Sequence, residues 1–372
     1  MNISREENIE KSKINMLEKL YYLQLLASLT PKSSGGIMNK SVRNTISEIA
    51  DFIKDSSDSE FRTRETKTYD FLIQVYNMYK NIMKPKINHR KIGRDFNELF
   101  AEGNQNPYSY GIEYGWIKER IEFVNDPWPS DLPYQSKVGI GVHFPSIGIE
   151  EEFMLRDAFY LLVKAYEVHE DMHAIGKKYK DKGKDVETKE DYLILSSYNH
   201  TVATYSRLGV QSFYFFTEAF INSVGFDYYL RNKINLGSDE IDFLQGRNKG
   251  RFIPLEQRVQ KFQSIIRSDD RVVIITTDEN QIKEPFKTFF NEIKEIRDAA
   301  SHFTPVKGEI WRKPDEWLEK VSSAARICIE VSKQFWLACY PDRDLPEYLM
   351  KLNYDEHMET ARKRAGNIKK HL

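Results

Sequence analysis

Apolar side chains recur every three to four residues over most of this chain, the spacing of one buried face on an α-helix. Over residues 9–30, Ile14, Leu17, Tyr21 and Leu25 form such a stripe. The pattern returns over 40–55 and over 66–83, the latter through Phe71, Val75 and Met78, until Lys84-Pro85-Lys86 breaks it. Between 125 and 148 it stops. Pro127, Pro129, Pro133 and Pro145, with Gly139, Gly141 and Gly148, exclude a long helix there. Val138–Phe144 fits one short strand.

The helical pattern is strongest beyond residue 150. A helix over 150–181 carries Phe153, Phe159, Leu162 and Val163. One over 187–224 carries Phe213, Phe216, Phe220 and Val224, with Gly225 placed as its C-cap. A shorter helix covers 255–267, and Val272–Ile275 reads either as a strand or as buried chain. The next helix starts at Thr277-Asp278 or, better, at Pro285. It runs to about residue 302 on a stripe of Phe286, Phe289, Ile293, Ile296 and Ala300. The last long helix opens with Pro314, carries Trp317, Val321, Ala324, Cys328, Val331 and Phe335, and stops before Pro341. Four long striped helices predict a mainly α fold with a four-helix, up-down bundle. The chain then divides into an N-terminal helical region (1–125) that senses a trigger or binds a partner, a Pro/Gly-rich linker (126–149), a helical domain (150–345) and a basic, disordered C-terminal tail (346–372).

Composition narrows this picture. Hydrophobic residues at 40% leave ample material for a core in 372 residues, and 21 Tyr with 22 Phe will fill it with rings. The formal net charge of -1 means that any nucleic-acid contact must come from local patches. Cys328 and Cys339 lie 11 residues apart on one helical pattern, about 16 Å along its axis, so they cannot pair. That, a charged start (Met1-Asn2-Ile3-Ser4-Arg5-Glu6-Glu7) and no apolar run of about 20 residues lead us to expect a cytoplasmic protein with no membrane segment.

The chemistry concentrates in Glu295-Ile296-Arg297-Asp298-Ala299-Ala300-Ser301-His302-Phe303-Thr304-Pro305. Asp298 and His302, four apart, face the same way on a helix, where the carboxylate raises the imidazole pKa and fixes its tautomer. Arg297 and His302, five apart, point about 140° from each other. They serve one site only if the helix ends or bends near His302, as Pro305 favours, or if a second copy completes it. An imidazole near neutral pKa suits proton transfer to and from a ribose 2′-hydroxyl, and a guanidinium fork suits the charged phosphorane. Arg and His at such spacing also recur by chance: Arg364 and His371 satisfy the looser form of the pattern in the tail.

This motif, on a helix followed by a short turn and a last long helix, resembles the HEPN superfamily, whose hallmark is Arg, a polar residue, then His at this spacing. The segment Phe213-Tyr214-Phe215-Phe216-Thr217-Glu218-Ala219-Phe220-Ile221-Asn222 also looks like the second helix of that family. The resemblance covers roughly 150–345. It implies a four-helix bundle in which Arg297 and His302 are catalytic and Asp298, where the family more often has Asn, orients them. Glu218 and Ser301 stand as supporting residues; Glu218 equally reads as a buried carboxylate that satisfies a neighbouring helix. Members commonly dimerise so that two motifs face one cleft, and act as ribonucleases in toxin–antitoxin, CRISPR and phage-defence systems. Others have lost catalysis and bind nucleotides or partners.

A rival motif is His169-Glu170-Asp171-Met172-His173, a formal H-E-x-x-H that suits zinc with Glu170 as general base. Gly176 falls where metzincins place a glycine, but Tyr179 stands at the third-ligand position and no Met occurs between Met172 and Met350. A solvated helix face with two histidines is the competing reading, and a second polar wall of a nuclease cleft is another. Basic residues cluster at Lys84, Lys86, His89, Arg90, Lys91 and Arg94, at Arg362, Lys363, Arg364, Lys369 and Lys370, and at Arg312 and Lys313 after Trp311. Each reads as an RNA-backbone contact or as solvated surface.

The expectation is therefore a metal-independent endoribonuclease without cofactor. It cuts single-stranded RNA to 2′,3′-cyclic phosphate and 5′-hydroxyl ends, as a homodimeric toxin or antiviral-defence effector with an antitoxin or defence-system partner. The alternatives are a catalytically inactive helical scaffold or nucleotide-binding module, and a zinc-dependent hydrolase using His169, Glu170 and His173.

Overall fold

In a computed structural model the chain forms two compact units, residues 1–149 and 150–372. The structure describes residues 3–30, 36–101, 110–140, 146–181, 188–301, 312–349 and 352–371. The fold is mainly helical, and no helix is long and apolar enough to cross a membrane.

In the first unit, α1 (Ile3–Leu29) packs against α2 (Gly36–Asp55), α3 (Asp58–Tyr79) and α4 (His89–Ala101). It buries Met16, Leu20, Leu23 and Leu26, while Ile14 lies outside this face and stays exposed. Ser57 sets the start of α3 through a capping box with Glu60, eight residues before the apolar stripe alone would begin it. The Lys84-Pro85 break is a strand: β1 (Met83–Pro85) pairs antiparallel with β3 (Ile121–Phe123). A second antiparallel sheet joins β2 (Ile112–Glu113), β4 (Lys137–Gly139) and β5 (Ser146–Gly148), with the short α5 (Tyr114–Arg120) between β2 and β3. Residues 126–149 therefore do not form a linker. Two strands of this sheet lie there, and Trp128, Leu132, Val138, Ile140 and Ile149 are buried. Prolines and glycines exclude helix but not short strands, which their turns connect. Of the strand expected over Val138–Phe144, β4 occupies the start, and 141–145 lie outside the described residues.

In the second unit, three long helices, α6 (Glu150–Asp181), α7 (Lys189–Asn232) and α12 (Pro314–Cys339), pack together. Between α7 and α12 come α8 (Ser238–Leu244), a hairpin of β6 (Arg247–Asn248) and β7 (Arg251–Phe252), α9 (Leu255–Ile266), a single turn α10 (Phe286–Thr288), a π-turn (Phe289–Ile293) and α11 (Lys294–Ser301). The core is a cluster of rings: Phe159 stands edge-on to Phe213 at 5.1 Å, and Tyr214 stacks on Phe289 at 5.3 Å. Both cysteines are buried in it and free.

Four details depart from the periodicity. Phe153 is exposed, with Arg156 over its ring, because α6 buries Leu155, Ala158, Phe159, Leu162 and Val163; Phe153 lies about 150° off the centre of that face. Gly225 does not end α7. The helix runs on to Asn232, and a Cβ at Gly225 would meet the Phe262 ring at 2.5 Å, so the glycine admits a close packing contact. Residues 272–275 are not a strand. Buried Gln263 donates to Ile274 O and accepts from the amides of Val273 and Ile274, doing for that backbone what a neighbouring strand would do. The C-terminal segment is not disordered: α13 (Tyr354–His371) packs on α6, burying Met358, Ala361 and Ala365 and stacking His357 on Phe159 at 5.0 Å.

Candidate functional site

The helix that carries Arg297 is not regular. Lys294 N–H donates to Phe289 O, five residues back, so the π-turn inserts one extra residue before α11. That rotates everything downstream by about 100° relative to a continuous α-helix. The rotation lays the Arg297 guanidinium over the Tyr214 ring of α7, 4.1 Å from its centroid. Arg297 Nη1 pairs with Asp298 Oδ1 at 2.8 Å, both side chains being mostly buried, and Arg297 Nε finds no acceptor among the described residues. Burial raises the Tyr214 phenol to about 12, so the arginine rests on a neutral ring. His302 and Trp311 lie outside the described residues, as does the side chain of Ser301.

Asp298 also lines a cavity of about 900 Å³ bounded by α9, α11 and the start of α12. Among the described residues its wall carries Glu256, Glu279, Glu292, Glu295 and Asp298 against Lys294, Arg312 and Lys320. Lys294 pairs with Glu256, and Lys320 with Glu292 at 2.8 Å. Arg312 lies over the ring of buried Trp317, 5.7 Å from its centroid. Lys313 precedes α12, its backbone N–H donating to Glu316.

The other expected residues are dispersed. Glu218 pairs with Arg258 of α9 at 3.3 Å, and Arg258 also donates to Asn222 and to Ile253 O. The carboxylate thus satisfies a neighbouring helix. Lys84, Arg90, Lys91 and Arg94 belong to the first unit. There Arg90 donates to Asn15 and Arg94 pairs with Glu18, so half of this cluster is engaged by α1.

The rival motif gains a partner that its own spacing does not contain. His169 and His173 stand one turn apart on α6, their rings edge-on at 4.3 Å. Asp315, in the first turn of α12, reaches both: its Oδ1 lies 2.5 Å from His169 Nε2 and 3.7 Å from His173 Nε2, and the two Nε2 atoms are 3.1 Å apart. The hydrogen bond from His169 holds the Asp315 carboxyl below the usual carboxylate range. These donors are the types that hold a transition metal. Glu170 is exposed beside them.

A third polar cluster went unread in the sequence. Glu151, in the first turn of α6, is buried, and accepts from Ser223 Oγ at 3.0 Å and from Tyr348 OH at 3.4 Å. Burial pushes its pKa up to about 7. Three glutamates in a row, 150–152, conceal which of them turns inward; only the phase set by Leu155, Ala158 and Leu162 distinguishes it.

Comparison of the chain with family models, curated proteins and solved structures finds no match.

Proposed function

We propose that the second unit is a metal-independent endoribonuclease acting at Arg297, Asp298 and His302. The observation that carries this reading is the state of Arg297: a guanidinium held on an aromatic ring inside a helical body, paired with one carboxylate, its Nε without an acceptor among the described residues. Such an arginine is oriented in advance for an anionic oxygen, the feature phosphoryl chemistry requires. In this reading Arg297 stabilises the phosphorane, His302 moves the proton, and Asp298 orients the pair. Two copies of the chain face one substrate, as a toxin or phage-defence effector.

The cavity beside Asp298 sharpens the expected substrate. With five carboxylates against three cations among the described residues, and both lysines already paired to glutamates, the wall is net negative. The enzyme then grips few phosphates, and its cleavage should fall only shallowly with salt, by a slope near that of one or two single-strand contacts. The test is cleavage of end-labelled single-stranded RNA in EDTA. Wild type should leave 2′,3′-cyclic phosphate ends, and Arg297→Ala and His302→Ala should each lower the rate by about a hundredfold or more. Equal cleavage by the variants, or none by the wild type across single-stranded, structured and transfer RNAs, would sink the proposal and favour a non-catalytic scaffold of the same fold.

A further inference from the structure

We infer that His169, His173 and Asp315 bind one divalent first-row transition-metal ion, of which Zn²⁺ is the natural occupant.

The distances carry the argument. The same three atoms, His169 Nε2, His173 Nε2 and Asp315 Oδ1, are separated by 2.5, 3.1 and 3.7 Å. A circle through three points so spaced has a radius of about 1.9 Å, and zinc binds imidazole nitrogen and carboxylate oxygen at about 2.0–2.2 Å. An ion at that distance from all three sits just outside their plane. The two separations that involve His173 lie close to the edge of a tetrahedron of such bonds, about 3.3–3.6 Å, and the His169–Asp315 pair opens by about 0.8 Å to complete its face.

Protons alone serve this arrangement poorly. With neutral rings, the single hydrogen on His169 Nε2 would have to satisfy both the carboxylate and the His173 nitrogen. With both rings protonated, two N–H groups would meet across 3.1 Å. A cation accepts all three lone pairs at once.

The helices supply the rest. Residues i and i+4 on α6 place both imidazoles on one face. Asp315 sits in the first turn of α12, where the helix N-terminus favours an ionised carboxylate. Two imidazoles and one carboxylate select zinc, cobalt, nickel or copper over magnesium and calcium, which take oxygen ligands. Because His173 and Asp315 are largely exposed, the outer side stays open to water or a further ligand. The ion would join α6 to the start of α12 across 146 residues of chain. The inference is independent of the ribonuclease reading, since none of the three ligands belongs to it.

The experiment uses the full chain, stripped with chelator, loaded with Zn²⁺ and freed of excess by gel filtration. Metal content should be one zinc per chain, and Zn²⁺ but not Mg²⁺ should raise the melting temperature. His169→Ala and His173→Ala should abolish both effects, and Asp315→Asn should weaken binding by about tenfold or more. Cobalt loading should give the visible absorption of a tetrahedral ion in the wild type alone. All three residues lie near the surface, and far-UV circular dichroism verifies that the variants fold. Zinc content in the wild type no higher than in a His169→Ala/His173→Ala double variant would overturn the inference. So would Asp315→Asn binding as tightly as wild type, which would leave only a surface pair of histidines.

Discussion

Two of the polar sites of the second unit are built in opposite ways. Arg297 and Asp298 are neighbours in sequence, on one short helix, and their setting comes from a ring of another helix behind them. His169, His173 and Asp315 come from two helices and meet at the surface. In the first, chain adjacency supplies the functional groups and packing supplies the environment. In the second, packing supplies a functional group outright. A contiguous site therefore fails when its environment is lost, and an assembled site fails when one helix shifts.

Removing the floor of the contiguous site should have the largest effect. Tyr214→Ala deletes a fully buried ring that stacks on Phe289 and underlies Arg297. It should cost about 3–5 kcal/mol in urea denaturation. Any RNA cleavage should fall with it at temperatures where the variant is still folded. Tyr214→Phe, which keeps the ring, should retain most of both. A small loss for Tyr214→Ala would mean that Arg297 is placed by its sequence neighbours after all.

An assembled cluster can also be tested through pH. Glu151 is ordinary when unfolded but titrates at about 7 in the fold. Between about pH 4.5 and 7 the folded chain holds a proton that the unfolded chain has released, so raising the pH across that window destabilises the fold. The contribution reaches about 3 kcal/mol above pH 7. Glu151→Gln should leave stability near pH 4.5 almost unchanged and raise it by up to that amount at pH 8, as read from denaturant midpoints. A carboxylate stabilised by Ser223 and Tyr348 in its ionised form would give the opposite slope, and the comparison would have to be redrawn.

Within the contiguous site, Asp298→Asn removes the counter-charge of a mostly buried guanidinium. With each side chain about one-fifth exposed, the expected loss is about 1 kcal/mol after solvent screening. The smallest effect should come from a surface pair. Lys363 and Glu359 are both well exposed one turn apart on α13, and Lys363→Ala should move the midpoint by less than about 0.5 kcal/mol. A larger shift would mark this basic helix as more than a solvated face.

Periodicity made the long helices legible. The helices at 150–181, 255–266 and 314–339 fall where their apolar stripes place them, since one buried face on a 3.6-residue turn writes itself directly into the sequence. Adjacency did the same for the Arg297–Asp298 pair, because covalent neighbours stay neighbours in any fold.

What tertiary structure decided alone were the features that depend on a partner distant in sequence. Gly225 reads as a helix stop until Phe262 is seen against it, and the exposed Phe153 reads as core until the phase of α6 is fixed by what it touches. Residues 126–149 look like a linker until β2 pairs with β4. The π-turn that aims Arg297 leaves no mark in composition, because one inserted residue changes phase and not hydrophobicity. Asp315 is one acidic residue in a helix's first turn, among the commonest features of any sequence. It becomes a partner of His169 and His173 only because two helices 146 residues apart pack side by side, and no local spacing can encode that distance.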